Sequence, residues 1–437
     1  MAVAPPPSPA QSEKPPAPSV SGKWTTSFYG FAEGDLIYDQ VQGPGEAIGN
    51  GALPRPATGT TPSTFAAAHG QFITSARNSR LGFRFTAPTV NDIKPSGNLE
   101  FDFNGNQPPG ISEASTYVNA TMRIRHAYLK FETPFVDVLV GQTWQLFGWQ
   151  PMSQPGTIQF QGLPGFLSSR APQLRIGKAV KAGDVSVDVE IAATRSGQRA
   201  SGMPDGVGGI KLAYDKLKAH RIVGSAGSAN DSAAVAVSVI GRRFDVTEFK
   251  ATPVDTVQKN GYGLAVNALL PIVPATKESH ANALTLEGEF ITGGGIADLY
   301  TGLSGGVAQA ALPPAMPGGT PPAFTPNVDN GLVEFISDGT LHPVRWQSYG
   351  VAAQYFLPPS GNVAITVDYS HLSSDNARDF GAATKVWDKQ DYVDATLFFD
   401  ITPAVRLAAG FAWNRQTYVD GLDATDVRGQ FGGLFIF

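Results

Sequence analysis

The feature that most constrains this fold is an alternation of apolar and polar residues that begins near Trp24 and recurs to the end of the chain. From Leu99 to Phe103 the apolar side chains share one face of an extended chain, and two carboxylates share the other. The same period of two is clear in residues 185–191, 284–290 and 363–370. Blocks of about nine to twelve residues with this period predict strands long enough to cross a bilayer at a tilt.

Composition excludes several other classes of protein. No apolar run approaches the roughly 18 to 20 residues of a membrane-spanning helix, because the best stretch, Ala233 to Ile240, is interrupted by Ser238. With 49 Gly, 34 Pro and only 16% charged residues, the composition is typical of a turn-rich β protein. A net charge of −5 without a basic block argues against nucleic acid as a partner. The sequence has no cysteine, which excludes disulfides and thiolate metal sites.

The lengths of the connections separate a membrane barrel from a soluble β-sandwich, which alternates in the same way with its apolar face inward. Short links at 133–135, 182–183, 358–361 and 402–403 alternate with long ones at 41–68, 141–171 and 293–342. This segregation favours a barrel, and we predict an all-β fold, a transmembrane antiparallel β-barrel of about sixteen strands. The register of residues 208–246 stays open, since Lys218 to Ala226 fits a turn, part of a bent strand or a separate strand.

The chain divides into two predicted parts. Residues 1–22 are rich in Pro and Ser and are predicted to form a disordered tail, whereas residues 23–437 form the outer-membrane β-barrel. The last predicted strand places Phe431, Gly433, Phe435 and Phe437 on one face. This block resembles the C-terminal signature of bacterial outer-membrane proteins, whose last strand closes the barrel. Aromatic girdles at the membrane interface are predicted from Tyr29, Tyr38, Tyr355, Tyr369 and Trp413.

One segment carries a resemblance to a known family. Residues Met122 to Trp144, which read MRIRHAYLKFETPFVDVLVGQTW, resemble the DcaP-like family of trimeric outer-membrane porins. The similarity is densest in RIRHAY and LVGQTW, and residues 261–270 and the terminal strand are also similar. The resemblance implies a homotrimer of sixteen-stranded barrels that passes small, negatively charged organic solutes such as dicarboxylates. The Pro-rich tail departs from that family, whose members begin with a periplasmic coiled-coil segment.

A loop of unusual composition follows the fifth predicted strand. Residues 142–170 contain six Gln and almost no charge, together with Trp144, Phe147, Trp149, Phe160 and Phe166. A sixteen-stranded barrel leaves a wide aqueous channel unless something narrows it, and this loop is the third long connection. We therefore predict that it folds against the inner wall as a constriction loop. The alternative is a surface loop that clamps a neighbouring subunit.

Arginines are concentrated on the strands near that loop. Arg80 and Arg84 share the face opposite Leu81 and Phe83, and a guanidinium facing hydrocarbon costs about 2–4 kcal/mol, so both are predicted to face the lumen. The full set of predicted pore-lining residues is Arg77, Arg80, Arg84, Arg123, Arg125, Arg170, Arg175, Glu100 and Asp102. Such a ladder would attract carboxylates, or alternatively would only compensate the wall carboxylates. Near Arg125, His126 and Tyr128 the alternation loses phase, which indicates either a bulge or a wrong register there.

These patterns lead to a hypothesis of a passive porin in the bacterial outer membrane that favours small anionic solutes. The expected partners are those solutes, outer-membrane lipid and two further copies of the chain, without nucleic acid. No enzyme, cofactor or metal site is predicted, because the six histidines are scattered singly and no hydrolase or phosphate-loop motif occurs. The alternative is an outer-membrane receptor or adhesin whose lumen is plugged.

Overall fold

The computed structural model of the protein describes most of the chain beyond residue 19. The described residues are 20–57, 59, 62–105, 120–160, 162–197, 201–276, 279–303, 307, 311–314, 316–329, 331–380 and 386–437. The predicted disordered tail, residues 1–22, therefore lies almost entirely outside the described residues. Its last part is described, and Val20–Ser21 pair with Thr89–Val90.

The described residues form sixteen barrel strands, the second of which is split into two segments. The first eight are β1 Thr25–Asp39, β2 Gln71–Ser75 with Arg80–Thr86, β3 Lys94–Asp102, β4 Arg123–Glu132, β5 Asp137–Trp144, β6 Arg170–Ala182, β7 Val185–Thr194 and β8 Asp205–Val223. The others are β9 Gly227–Thr247, β10 Thr256–Val273, β11 Leu284–Gly294, β12 Arg345–Leu357, β13 Val363–Ser373, β14 Trp387–Thr402, β15 Val405–Tyr418 and β16 Asp423–Ile436.

Each strand pairs antiparallel with its neighbours in sequence, and the sheet closes on itself. The closing pair joins β1 to β16 from Phe31 opposite Ile436 to Asp39 opposite Arg428. The predicted fold, an antiparallel barrel of about sixteen strands, is confirmed. Short helical segments lie in the connections, namely α1 Phe65–Ala68 and the 3-10 turns Phe147–Trp149, Ala297–Leu299 and Ala377–Asp379. Among the described residues, no helix combines the length and the apolar character that spanning a membrane requires.

The outer wall of the barrel is apolar. On β7 the alternate residues Val185, Val187, Val189 and Ile191 are 36–60% exposed, and Phe431 and Phe435 on β16 are 47% and 55% exposed. The intervening carboxylates and hydroxyls point inward. Exposed apolar rows of this kind on a closed sheet are the wall that hydrocarbon lipid requires, so the sheet is oriented as the alternation predicts.

The connections differ between the two rims of the barrel. At one rim, the long-loop rim, they cover residues 40–70, 103–122, 145–169, 195–204, 248–255, 295–344, 374–386 and 419–422. At the other, the short-turn rim, they cover residues 87–93, 133–136, 183–184, 224–226, 274–283, 358–362 and 403–404. The segregation expected from the sequence is present with two exceptions, the short connection 419–422 on the long-loop rim and the ten-residue connection 274–283 on the short-turn rim.

Residues 208–246, whose register the sequence leaves open, contain a bent strand. β8 continues through Lys218 to Val223, and the tight turn Gly224–Ala226 leads into β9. The pairing shifts between Tyr214, which lies opposite Ala233, and Lys218, which lies opposite Ser232, so three residues of β8 have no partner there. An insertion of this kind bends the strand that contains it.

Candidate functional site

The third long connection does not cover the outside of the barrel but enters its lumen. We call residues 145–169 the lumen loop; it is shorter at each end than the predicted 142–170, because Trp144 ends β5 and Arg170 begins β6. Its apolar side chains are among the most deeply buried of the described residues: Leu146, Phe147, Ile158, Phe166 and Leu167 are each at most 2% exposed. The aromatic residues of this segment therefore anchor it inside the barrel.

The lumen loop packs against one half of the wall, from β9 to β16. The backbone N–H of Gly148 donates to Ser238 Oγ at 2.8 Å, and that of Leu167 donates to Glu289 Oε1 at 2.9 Å. Farther around the wall, Thr157 Oγ1 donates to Asp394 Oδ1 at 3.1 Å. A glycine of the wall makes room for the loop, because a Cβ on Gly410 would lie only 2.7 Å from Ile158 Cγ2.

Two water-accessible cavities remain toward the opposite side, between the loop and strands β1 to β10. The larger has a volume of about 930 Å³ and is lined by Arg80, Arg84 and Arg175, among others. The smaller, of about 230 Å³, is lined by Arg77, Arg123 and Arg170. Arg125 lines both cavities, so its guanidinium stands where they meet. The larger volume falls within the range of sites that hold small organic molecules.

A β-bulge places Arg125 at that point. The β3–β4 pairing runs from Glu100 opposite His126 directly to Phe101 opposite Ile124, which leaves Arg125 as an extra residue on β4. An extra residue shifts the phase of the side chains, so that Arg123, Arg125 and His126 can all turn toward the lumen. The broken alternation thus reflects a bulge, one of the two alternatives that the sequence left open.

Four of the predicted arginines are paired with carboxylates. Arg123 forms a bidentate pair with Asp102, with Nε–Oδ1 and Nη2–Oδ2 distances of 2.9 and 2.6 Å. Arg125 donates from Nε to Glu100 Oε1 at 2.6 Å and from Nη1 to Asp102 Oδ2 at 3.0 Å. Arg77 pairs with Glu46, and Arg175 pairs with Glu190 at 3.1 Å. These pairs fix the geometry of the wall and leave little net charge of their own.

The other three predicted arginines have no carboxylate within ion-pair distance among the described residues. Arg80, Arg84 and Arg170 instead lie over aromatic rings. Their Cζ atoms are 5.1 Å from the centre of the Phe31 ring, 4.1 Å from that of Tyr29 and 4.4 Å from that of Trp144, respectively. An aromatic face holds a guanidinium in place without neutralising it. These three side chains therefore line the cavities without a contact ion-pair partner among the described residues.

The charge around the two cavities is consequently positive. Nine arginine and lysine side chains and five carboxylates line them. With Asp102 and Glu287, the buried ion-pair partners of Arg123, Arg125 and Arg221, the excess is two positive charges among the described residues. Glu100 lines the larger cavity, whereas Asp102 is fully buried behind its arginine partners. All nine predicted residues thus lie in one region of the barrel, around the open half of the lumen.

Several residues of this region were missed or assigned differently from the sequence, among them Tyr29 and Lys211. Tyr29 was expected in an interfacial girdle, but it lines the larger cavity and donates from its hydroxyl to Glu100 Oε2 at 2.9 Å. Lys211 lines the same cavity, 4.5 Å from the centre of the Trp149 ring and 3.3 Å from Asp188. The alternation predicts its side, since Ile210 on β8 faces outward.

No protein-family model matches the sequence, and a search of curated proteins finds no match. Among solved structures, the outer membrane channel DcaP of Acinetobacter baumannii has a TM-score of 0.66 and 18% identity, with 95% of this chain and 98% of that chain covered. The anion-selective porin from Comamonas acidovorans has a TM-score of 0.51 and 10% identity, with coverages of 95% and 100%. The trimer form of OmpT, an outer membrane protein of Vibrio cholerae, has a TM-score of 0.50 and 10% identity, with the same coverages.

At these identities the similarity shows the fold. The resemblance to the DcaP barrel that the sequence indicated is confirmed at that level, and it extends over nearly the whole described chain. A closed sheet with an apolar outer wall and this set of structural neighbours is a barrel of the bacterial outer membrane.

Proposed function

We propose that this protein is a passive outer-membrane porin whose lumen loop forms a constriction and whose open arginines favour small organic anions. The observation that carries the proposal is the set Arg80, Arg84 and Arg170, which faces water-accessible space and has no carboxylate partner among the described residues. No reaction is assigned to the chain, and solutes would pass by diffusion alone.

The electrostatics support an anion preference. A positive field in a narrow channel with low-dielectric walls raises the local concentration of anions and the rate at which they enter. The paired arginines contribute little to that field, because Glu100 and Asp102 compensate Arg123 and Arg125 at contact distance. The open cations stand on aromatic rings, so they present both charge and an apolar surface to an organic carboxylate.

The dicarboxylate preference rests on the resemblance of Met122 to Trp144 to the DcaP-like porins. The same resemblance supports a homotrimer embedded in outer-membrane lipid, and the outward apolar rows of the barrel can contact lipid and neighbouring subunits alike. In this assembly each barrel would carry its own channel. The long-loop rim would face the exterior and the short-turn rim the periplasm, as in other barrels of this class.

The test is electrical. Purified protein in a planar bilayer should produce stepwise conductance, and in a salt gradient the reversal potential should have the sign of anion preference. A reversal potential of cationic sign would refute the anion preference and leave the pore intact. Complete absence of conductance would refute the porin and favour the alternative of a receptor with a plugged lumen.

A further inference from the structure

The turn between β8 and β9 is unlike the other short turns of the barrel. We call residues 218–232 the inner hairpin. At the base of the hairpin, Asp215 forms an ion pair with Lys181 at 2.5 Å. The backbone N–H of Asp215 donates to the carbonyl oxygen of Asp184, in the turn that joins β6 to β7. The base therefore lies at the short-turn rim. From there six residues of strand extend over about 20 Å, enough to project far beyond the rim or to reach the middle of the barrel.

The hairpin does not project beyond the rim but folds into the lumen. The three unpaired residues between Tyr214 and Lys218 form a bulge at the rim, and the strand bends there. Beyond the bend, Ala219, Ile222 and Ser225 are at most 3% exposed, which a hairpin projecting into solvent could not achieve. The bend therefore turns the hairpin inward.

Contacts at the tip place it against the wall at β1, at the interruption of β2 and at β15. Ser225 Oγ donates to Glu33 Oε2 at 2.8 Å, and Arg406 Nη1 donates to the backbone carbonyl of Ser225 at 3.0 Å. Glu33 lies near the centre of β1, at the level where β2 is interrupted, because its backbone N–H donates to Ser79 Oγ at 3.0 Å. Asn78 donates to both Glu33 and Ser225, at 2.7 and 3.3 Å. The tip thus contacts Asn78, which precedes Arg80 by two residues in the chain.

The hairpin also meets the lumen loop. Ile222 belongs to the same buried apolar cluster as Ile158 of the loop, together with Phe356 and Phe398 of the wall. The carbonyl oxygen of Ile222 lies so close to Gly156 that a Cβ on that glycine would be 2.6 Å away. One element enters from each rim, and the two fill the same half of the lumen.

A buried ion-pair network fastens the hairpin to the wall. Arg221 donates to Asp231 across the hairpin at 2.8 Å and to Glu287 of β11 at 2.9 Å. The guanidinium and Glu287 are 4% and 2% exposed. A buried charge that loses its partner is strongly destabilising, so this network holds the hairpin in the inward position.

The opposite strand of the hairpin faces the open cavity. Gly227, Ser228 and Ala229 line the cavity of about 930 Å³, and Ser228 is exposed to it. On the other side of the same space stand Tyr29 and Arg84. We propose that the inner hairpin is a second selectivity element, which narrows the path on the short-turn side and directs solutes past the open arginines. This inference rests on the porin function proposed above.

Cysteine chemistry tests the proposal on the intact protein, because the chain contains no cysteine of its own. The variant Ser228→Cys is reacted with a negatively charged methanethiosulfonate, and mass spectrometry verifies the modification. We expect the single-channel conductance to fall roughly twofold, since a bulky anion then occupies the path. Ser360→Cys is the matched control, because Ser360 is an exposed serine in another turn of the same rim and does not line the cavity. Its modification should leave the conductance unchanged.

A second variant removes the hairpin. Lys218 and Ser232 are cross-strand partners, so residues 219–231 can be replaced by Asn-Gly, a pair that favours a tight two-residue turn. If the shortened protein folds, its conductance should rise and its anion preference should fall. If it does not fold, the cysteine pair decides the question. Unchanged conductance after verified modification of Ser228→Cys would overturn this inference alone, whereas a wild-type barrel without conductance would refute the porin function and this inference with it.

Discussion

The two halves of the lumen differ in both occupancy and charge. On the side of β2, β4 and β6, arginines border open cavities, and three of them have no carboxylate partner among the described residues. On the side of β11 to β16, the wall is acidic and covered. Glu289, Asp368 and Asp394 are at most 7% exposed there, beneath or beside the lumen loop. Asp368 and Asp394 are direct cross-strand partners, so two carboxylates are held side by side.

The difference shows how a barrel with a net negative charge can favour anions. Wall carboxylates that the loop covers accept hydrogen bonds from it, as Glu289 does from Leu167 and Asp394 does from Thr157, and they do not border the path. The position of the lumen loop therefore decides which wall charges border the path, as much as the number of acidic and basic residues does. The predictions below alter one half at a time.

The largest effect should come from uncovering the acidic half. The backbone N–H of Gln145 donates to the carbonyl of Ser169 at 3.2 Å, so residues 146–168 can be replaced by an Asn-Gly turn that joins these ends. We expect conductance to rise severalfold, because the part of the lumen that the loop occupies opens and only the inner hairpin still narrows that half. The reversal potential should move toward cation preference as the acidic wall becomes accessible. Shortening the 248–255 loop, which lies outside both cavities, is the control, and retained anion preference in the loopless channel would contradict the comparison.

Next in size is neutralisation of the open arginines. The triple variant Arg80→Gln, Arg84→Gln and Arg170→Gln should bring the ratio of anion to cation permeability close to about one, because the excess positive charge around the cavities is then removed. Reversal potentials in a salt gradient measure this ratio. The double variant Arg415→Gln and Asp423→Asn removes an exposed ion pair remote from the cavities and should leave the ratio as in the wild type. An unchanged ratio in the triple variant would show that selectivity lies elsewhere.

A smaller effect is expected from loosening the covered half. Ile158 is fully buried between the lumen loop, the inner hairpin and the wall, so Ile158→Ala should cost about 2–5 kcal/mol of packing energy. Thermal unfolding should show a lower Tm, and the open-channel current should become noisier because the loop is less firmly held. Val187→Ala is the comparison, since Val187 faces outward and its truncation leaves no internal cavity. Equal noise in both variants would argue against a packed loop.

The smallest effect concerns screening. The Debye length falls from about 10 Å at 0.1 M salt to about 3 Å at 1 M. The anion preference of the wild type should therefore weaken as the mean salt concentration rises, whereas that of the triple arginine variant should hardly change. Reversal potentials at a constant concentration ratio provide the measurement. A preference independent of salt would indicate a steric origin.

Alternation predicted which side of the sheet a residue occupies but not what it meets there. It predicted the inner side for Arg80 and Arg84, which line the larger cavity, and its loss of phase pointed to the irregular pairing at Arg125. It could not show that Arg84 lies over Tyr29, because that contact depends on the register between β1 and β2. A sequence pattern describes one strand at a time, whereas register is a property of pairs.

The inward course of residues 218–232 was the largest gap. The segment was expected as a turn, part of a bent strand or a separate strand, and its composition is compatible with each. Its position is set by contacts with Glu33, Glu287 and Gln354, which lie far away in the sequence. Local propensity contains no information about such partners. An alanine-rich hairpin with one arginine is a weak signal until the wall that receives it is known.

The closing pair of β1 and β16 bears on how the molecule is made. The strand that completes the ring is also the final strand of the sheet, so any partly assembled sheet that lacks it has two unpaired edges. Unpaired edges readily bind other chains, and pairing across such a distance in sequence is slow. A newly exported chain of this protein would consequently depend on escort by other factors until its final fourteen-residue strand is in place.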